Sequence, residues 1–257
     1  MLGPMERPGI EFRIAPELTM FLPSRRRAAA VSVACDGTSS LGHVVQSLGV
    51  PLTEVGFLFV NGSPARPSYR PAGGERVLIQ PVPRPQQLPE PRFLLDVHLG
   101  ALARRMRLVG LDTSYSNDRD DDELVEEANS ARRALLTRDR GLLQRGKLWF
   151  GAYVRGDRPD EQLRDVLARF APPLEPWTRC MSCNGMLAPV RKRDVERLLP
   201  SGTRRTYQQF ARCRECGRVY WRGAHSGRLA AIVADATGRT RAARPVSTDR
   251  ASGPSGR

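Results

Sequence analysis

Residues 93–116 read FLLDVHLGALARRMRLVGLDTSYS. This stretch decides the fold. FLLDV is a short apolar run, too brief for a helix, and predicts a buried strand. In LGALARRMRLVG, Leu99, Leu102, Ala103 and Met106 recur at i, i+3, i+4, i+7, and Arg104, Arg105 and Arg107 fall mainly off that face. That spacing predicts a helix with one apolar stripe, stopped at Gly110. LDTSYS then predicts a second strand. Strand, helix, strand within so short a span is the signature of a parallel pair joined by a crossover helix.

The same alternation continues. DDDELVEEANSARR predicts a helix whose acids sit in the first turn, where the macrodipole favours negative charge. ALLT predicts a third strand, RGLLQR a short helix and KLWFGAYV a fourth strand. DRPDEQLRDVLARF places Leu163, Val166, Leu167 and Phe170 on one helix face. Residues 93–173 therefore predict an α/β domain with a largely parallel sheet flanked by helices.

In such a sheet, functional groups gather beyond the carboxyl ends of the strands. Asp96 ends the first strand, Asp120, Asp121 and Asp122 follow the second, Asp139 follows the third and Asp157 the fourth. Clustered carboxylates repel, and a divalent cation with a preference for oxygen ligands, Mg²⁺ or Mn²⁺, relieves that repulsion. Ions so held orient water against a phosphodiester. Each acid also has an ordinary reading. Asp120–Asp122 and Asp157 suit helix starts, and Asp139 suits the cap of RGLLQR. Thr137 reads as a β-branched strand residue or as a group that positions a water. Arg104, Arg107 and Arg138, near this edge, are candidate phosphate contacts.

Outward from this domain the composition shifts. Residues 83–92 fall in PVPRPQQLPEPR, a Pro-rich, semi-rigid linker. Before it, residues 8–82 contain the alternating IEFRI, a helix-like LGHVVQSLGV, and the strand–turn–strand pattern of VGFLFVNG and ERVLIQPV. They predict a small α+β unit. After the α/β domain, residues 177–236 hold CMSC and CREC, which set Cys180 and Cys183, and Cys213 and Cys216, each pair two residues apart. Two such knuckles complete a tetrahedral four-thiolate site, closed and structural, for which zinc is the expected ion. VRKRDVERLL between the pairs predicts an inserted helix. His225 follows the second knuckle, where a structural or RNA-facing role is expected, and Cys35 reads as a small buried hydrophobe. Residues 237–257 are polar, rich in Pro, Gly and Ser, and predict a disordered tail.

The whole chain of 257 residues carries 41 Lys plus Arg against 27 Asp plus Glu, a net charge of +14, with a pI near 10.8. This balance points to an anionic partner, foremost nucleic acid. No apolar run approaches the ~20 residues of a membrane helix, and MLGPMERPGIEF lacks the apolar centre of a secretory signal. A cytoplasmic protein with reduced thiols and no membrane partner is expected.

Taken together, FLLDVHLGALARRMRLVGLDT, DDDELVEEANSARRALLTRDRGLLQR, EQLRDVL and the two knuckles ending in CGRVYWRGAH resemble the RNase domain found at the C-terminus of the Mut-seven exonuclease. The resemblance implies a PIN-like nuclease fold with an appended zinc ribbon and metal-dependent RNA cleavage by clustered acids. Carried onto this chain, it implies Asp96, Asp139 and a middle acid, Asp121, with Asp122 in the competing register. The first region resembles ubiquitin-like (β-grasp) sulfur carriers through LGVPLTEVGFLFVNGSPARP and GGERVLIQPV. Carriers end in a free Gly-Gly, whereas VLIQPV runs on into a linker. Docking to a protein or RNA partner is therefore expected rather than sulfur transfer. The competing expectation is a non-catalytic RNA-binding adaptor, its ubiquitin-like domain recruiting a partner and its acids serving as caps.

Overall fold

The computed structural model describes residues 9–26, 30–145, 148–221 and 226–242. His225 and the segment 243–257 lie outside them.

The first domain contains β1 (Ile10–Ile14), β2 (Ala30–Val33), α1 (Leu41–Ser47), β3 (Val55–Val60), β4 (Ser63–Ala65) and β5 (Arg76–Pro81). Its five-stranded sheet runs β2-β1-β5-β3-β4, with β1 and β5 parallel at the centre and the other pairs antiparallel. This is a β-grasp arrangement, as expected. Asn61 and Gly62 link β3 to β4 with φ of 49° and 86°. Two consecutive positive φ values define the turn type that Asn-Gly favours, because its twist matches the strands. The alternation of IEFRI is realised directly: Ile10 and Phe12 are buried, and Arg13 between β-partners is exposed.

The second domain contains β6 (Arg92–Leu95), α2 (Gly100–Leu108), β7 (Asp112–Tyr115), α3 (Asp121–Ser130), β8 (Ala134–Thr137), α4 (Arg140–Leu143), β9 (Gly151–Tyr153) and α5 (Pro159–Phe170). All four strands are parallel, in the order β7-β6-β8-β9. The chain leaves β6 for β7 on one side and then crosses to β8 on the other. The topological switch point therefore lies between the ends of β6 and β8, where crossover helices diverge and a crevice opens. β6 and β8 are buried along their whole apolar lengths, as strands covered on both faces must be. Leu102, Ala103 and Met106 of α2 join Leu163, Val166 and Phe170 of α5 in one core with Phe93, Leu95 and Leu136.

The third unit has β10 (Leu187–Val190), α6 (Lys192–Val195), α7 (Ser201–Thr206), β11 (Phe210–Cys213) and β12 (Val219–Trp221), followed by α8 (Ser226–Ala242). The strands form an antiparallel sheet, β10-β11-β12. The helix expected over VRKRDVERLL is a short α6 continued by a 3-10 turn, Glu196–Leu198.

One expectation needs correction. Residues 237–242 are not a structureless tail but the last part of α8. Ile232, Val233 and Ala236 of that helix pack into the α2–α5 core. The apolar stripe was hidden by the small residues of SGRLAAIVADATGR. The linker, expected to be semi-rigid, is pinned along the second domain. Arg84 pairs with Asp165 at 2.5 Å, the Gln86 amide donates to the Arg169 carbonyl, and Leu88 joins the second domain's core.

The first domain is docked rather than loosely tethered. Its core includes Leu143 and Tyr153 of the second domain. The Arg169 guanidinium reaches across to Glu54, with Nη1 2.7 and 2.8 Å from the two carboxylate oxygens. Both side chains are 1% exposed. Glu54 also accepts from the Tyr153 amide at 2.8 Å, and Arg169 donates to Gln86 and to the Thr53 carbonyl. Every strong polar group of the pair thus has a partner, the condition for burying opposite charges.

Candidate functional site

Asp96 leaves the end of β6 buried, at 3% exposure. Its Oδ1 accepts the His98 amide at 2.8 Å and so caps the 3-10 turn Val97–Leu99. Its Oδ2 accepts the Thr137 hydroxyl and the Arg138 amide, the latter at 3.2 Å. Thr137 is fully buried at the end of β8, and its Oγ1 also accepts the Asp139 amide at 2.8 Å. One hydroxyl therefore ties the Asp96 carboxylate to the backbone amide of Asp139 across the switch point. Asp139 Oδ1 accepts the amides of Gly141 and Leu142 and caps α4, which leaves Oδ2 outside these bonds. Capping therefore occupies one oxygen of the Asp139 carboxylate.

The middle acids lie at the start of α3. Asp120 is the N-cap, in a reciprocal capping box with Glu123. Asp121 and Asp122 face Arg145, at the C-terminal side of α4. Its Nη2 is 3.1 Å from Asp121, and its Nη1 is bonded to Asp122. Asp157 pairs with Arg138 at 2.8 Å and does not cap α5, whose N-cap is Arg158. This contact pushes the Arg138 guanidinium pKa further up.

Among the described residues, the one group of three or more potential ligand side chains that converges is the cysteine quartet. The expected convergence of Asp96, Asp121 and Asp139 is therefore not met by the side chains as placed. The physical reason is visible: each acid has turned to a donor of its own, an amide, a hydroxyl or Arg145.

The expected phosphate contacts divide. Arg104 is exposed on α2. Arg138 is held by Asp157. Arg107 is corrected: it is 3% exposed and donates to the carbonyls of Thr113, Met181 and Ser182. Its charge is spent on the backbone of the first cysteine knuckle, and burial lowers its pKa. The knuckle is further fixed by Asn184, which accepts the Thr113 amide and donates to Asp112. Nearby, Gly110 has φ +90°, and a Cβ there would lie 2.0 Å from the Glu175 carbonyl. Only glycine lets the segment leading to the knuckle cross so close to the end of α2.

The four sulfurs of Cys180, Cys183, Cys213 and Cys216 lie within 4.8 Å of one another. Burial pushes the Cys180 thiol up, but bonds from the Tyr220 hydroxyl and the Cys183 and Ser182 amides outweigh it and bring the pKa to about 6. Burial and the surrounding thiols raise Cys183. Sulfurs this close cannot all ionise without a cation, and four thiolates around one point fit a tetrahedral thiophilic ion. Cys35 is half-buried with its thiol against the Pro71 carbonyl, consistent with a small packing residue.

Sequence reasoning left Thr137 between a strand residue and a group that positions a water, and missed Glu54, Arg169, Arg140 and the carbonyl-binding role of Arg107. A lone acid within the apolar PLTEVGF and a cation beside the α5 stripe were the available signals. Arg140 donates to the Met20 and Phe21 carbonyls, so the β-grasp domain touches the helix that begins at Asp139.

The fold and site define a class: a parallel α/β domain with acids at its switch point, welded to a four-cysteine unit and to a β-grasp domain. The model of the Mut7-C RNAse domain matches residues 91–233, and that of the Mut7-C ubiquitin domain matches residues 7–87. The chain belongs to the Mut7-C RNAse domain family. No curated protein matches it. The crystal structure of SAMP1 from Haloferax volcanii is similar to 28% of this chain and 93% of SAMP1, at 20% identity and a TM-score of 0.23. No helix among the described residues is long and apolar enough to cross a membrane.

Proposed function

We propose that this chain is a metal-dependent ribonuclease that hydrolyses RNA phosphodiester bonds at the carboxyl edge of the parallel sheet, in RNA processing or decay. The observation that carries the reading is the bridge from Asp96 through the Thr137 hydroxyl to Asp139 across the switch point. Asp96 and Asp139, with Asp121 or Asp122 from α3, are the residues that would hold Mg²⁺ or Mn²⁺. A bound ion of this kind supplies an activated water and neutralises charge on the scissile phosphate. Asp139 Oδ2 makes neither capping bond and is the oxygen that would take part. Thr137 links the Asp96 carboxylate to the Asp139 backbone, which holds the two strand ends together. Arg104 and Arg138 supply positive charge for the phosphates, and the net charge of +14 draws the polyanion in. The cysteine quartet suits zinc in a structural role. The β-grasp domain suits docking of a partner, since its last strand continues into a pinned linker and has no free terminus to activate.

One observation favours a second reading. Asp121 and Asp122 are neutralised by Arg145, as in a non-catalytic RNA-binding adaptor. The deciding experiment incubates zinc-loaded protein with a mixed RNA pool, with and without Mg²⁺ or Mn²⁺, and maps the product ends. Dropping out the divalent ion is preferable to a strong chelator, which would also strip the cysteines. Cleavage only with the added ion supports the ribonuclease; binding without cleavage under any ion supports the adaptor.

A further inference from the structure

The cysteine unit carries a groove that the site above does not use. Its volume is about 680 Å³, and its walls include Trp177, Met181, Phe210, Tyr220 and Trp221. Two of the chain's three tryptophans therefore line one depression. Gln208 and Gln209, both exposed, lie on its rim together with Arg179. Lys192 reaches the rim by donating to Gln208 Oε1 at 3.3 Å.

Trp177 has φ +68°, a backbone region that bulky residues enter only at a conformational cost. Its amide is anchored to the Leu108 carbonyl at 3.0 Å, so the tryptophan is held where the groove meets the end of α2. Arg179 lines the groove while paired to Asp112 at 3.4 Å, and the unit that carries the groove is strongly basic in sequence. From Trp177 to Trp221 there are ten Arg or Lys and three Asp or Glu, an excess of seven out of the chain's +14. Aromatic walls in a cationic frame match one occupant, an unpaired stretch of nucleic acid. Every base offers a flat face for stacking, and the backbone meets the positive charge. Amides on the rim add hydrogen bonds to base edges.

We propose that this groove is a base-stacking subsite for single-stranded RNA, outside the cleavage site and fixed to it by Arg107 and Asn184. The proposal rests on the ribonuclease reading for the identity of the ligand as substrate. Arg107 and Asn184 tie the knuckle to α2 and β7, so a strand held in the groove is held in fixed register to the sheet edge. The subsite selects unpaired RNA, because paired bases present no free face.

The test is binding of a fluorescein-labelled, unstructured RNA 12-mer to the full-length, zinc-loaded chain without Mg²⁺ or Mn²⁺, beside the same sequence as a duplex. Trp177→Leu keeps apolar volume and removes the stacking face. Zinc content and thermal melting of this variant are measured first, and the intrinsic tryptophan fluorescence of the unmodified chain is followed as a reading that needs no variant. The expected result is quenching of that fluorescence by the single strand and about 5- to 150-fold weaker binding by Trp177→Leu, the range set by loss of one stacked base. The duplex binds more weakly than the single strand. Equal binding of duplex and single strand, or no quenching together with unchanged affinity in Trp177→Leu, overturns the proposal. Cleavage is scored separately with the divalent ion added. Loss of the groove effect with cleavage intact rejects only the subsite, and stacking without cleavage rejects only the ribonuclease reading.

Discussion

Replacing Arg169 by Met asks how firmly the β-grasp domain is part of this enzyme-like body. Met conserves much of the apolar stem but removes the two bonds to Glu54, at 2.7 and 2.8 Å, in a place where both side chains are 1% exposed. The Glu54 carboxylate is left buried, with only the Tyr153 amide as a named donor. Stranding one member of a buried ion pair costs about 3–5 kcal/mol. In a domain pair of this size, 1 kcal/mol moves the melting temperature by roughly 2–4 °C, so a fall of about 6–20 °C is expected. Chemical and thermal denaturation of the purified chain measure it. The double variant Glu54→Gln with Arg169→Met recovers most of the loss, because the amide oxygen of Gln still accepts from Tyr153 and no charge is stranded. A single variant within about 1 kcal/mol of the parent would refute the reasoning.

Three further outcomes follow from the same geometry. Thr137→Val removes a hydroxyl that donates to Asp96 and accepts from Asp139; a loss of about 1–3 kcal/mol in denaturation is expected, with RNA cleavage reduced more than RNA binding. Arg107→Ala unpins the carbonyls of Met181 and Ser182, and zinc competition with a chromophoric chelator should show about 10- to 100-fold weaker retention. At Asp112, burial favours the neutral acid, but bonds from Arg133 and Asn184 outweigh it and hold the carboxyl below its ordinary range. A depressed folded value means its stabilisation is present above about pH 4 and is lost as pH falls through the folded value, so Asp112→Asn should flatten the acid limb of a stability–pH profile.

Much of this was legible in the sequence because it follows from periodicity. FLLD, ALLT and the α2 and α5 stripes fix which faces are buried, and alternation of strand and helix fixes the parallel sheet. The paired cysteines announce their site by spacing alone. What escaped depends on long-range partners. Nothing local tells that Arg107 bends toward carbonyls 74 and 75 residues away, or that Arg169 meets Glu54 at a separation of 115. The acids show the same limit. Their shared edge was readable from topology, but each side chain's final donor was not, and Asp121 and Asp122 turned to Arg145. The helix Ser226–Ala242 was missed because its packed stripe, Ile232, Val233 and Ala236, is short and shows its purpose only once α2 and α5 are there to receive it.

The central claim is best tested at Asp139. Asn is as good a helix cap as Asp, and its side-chain oxygen can still accept the Gly141 and Leu142 amides, so Asp139→Asn removes the charge while keeping α4 in place. Asp96→Asn is less clean, because an amide nitrogen at Oδ2 would face the Arg138 N–H. The measurement is single-turnover cleavage of an unstructured RNA in saturating Mn²⁺ by parent and Asp139→Asn, with melting temperature and zinc content recorded for both. The account predicts a folded, zinc-loaded variant that binds RNA and cleaves it at least about 100-fold more slowly, the scale on which a charge aligned with the reacting centre acts. Cleavage by Asp139→Asn at the parent rate would contradict it.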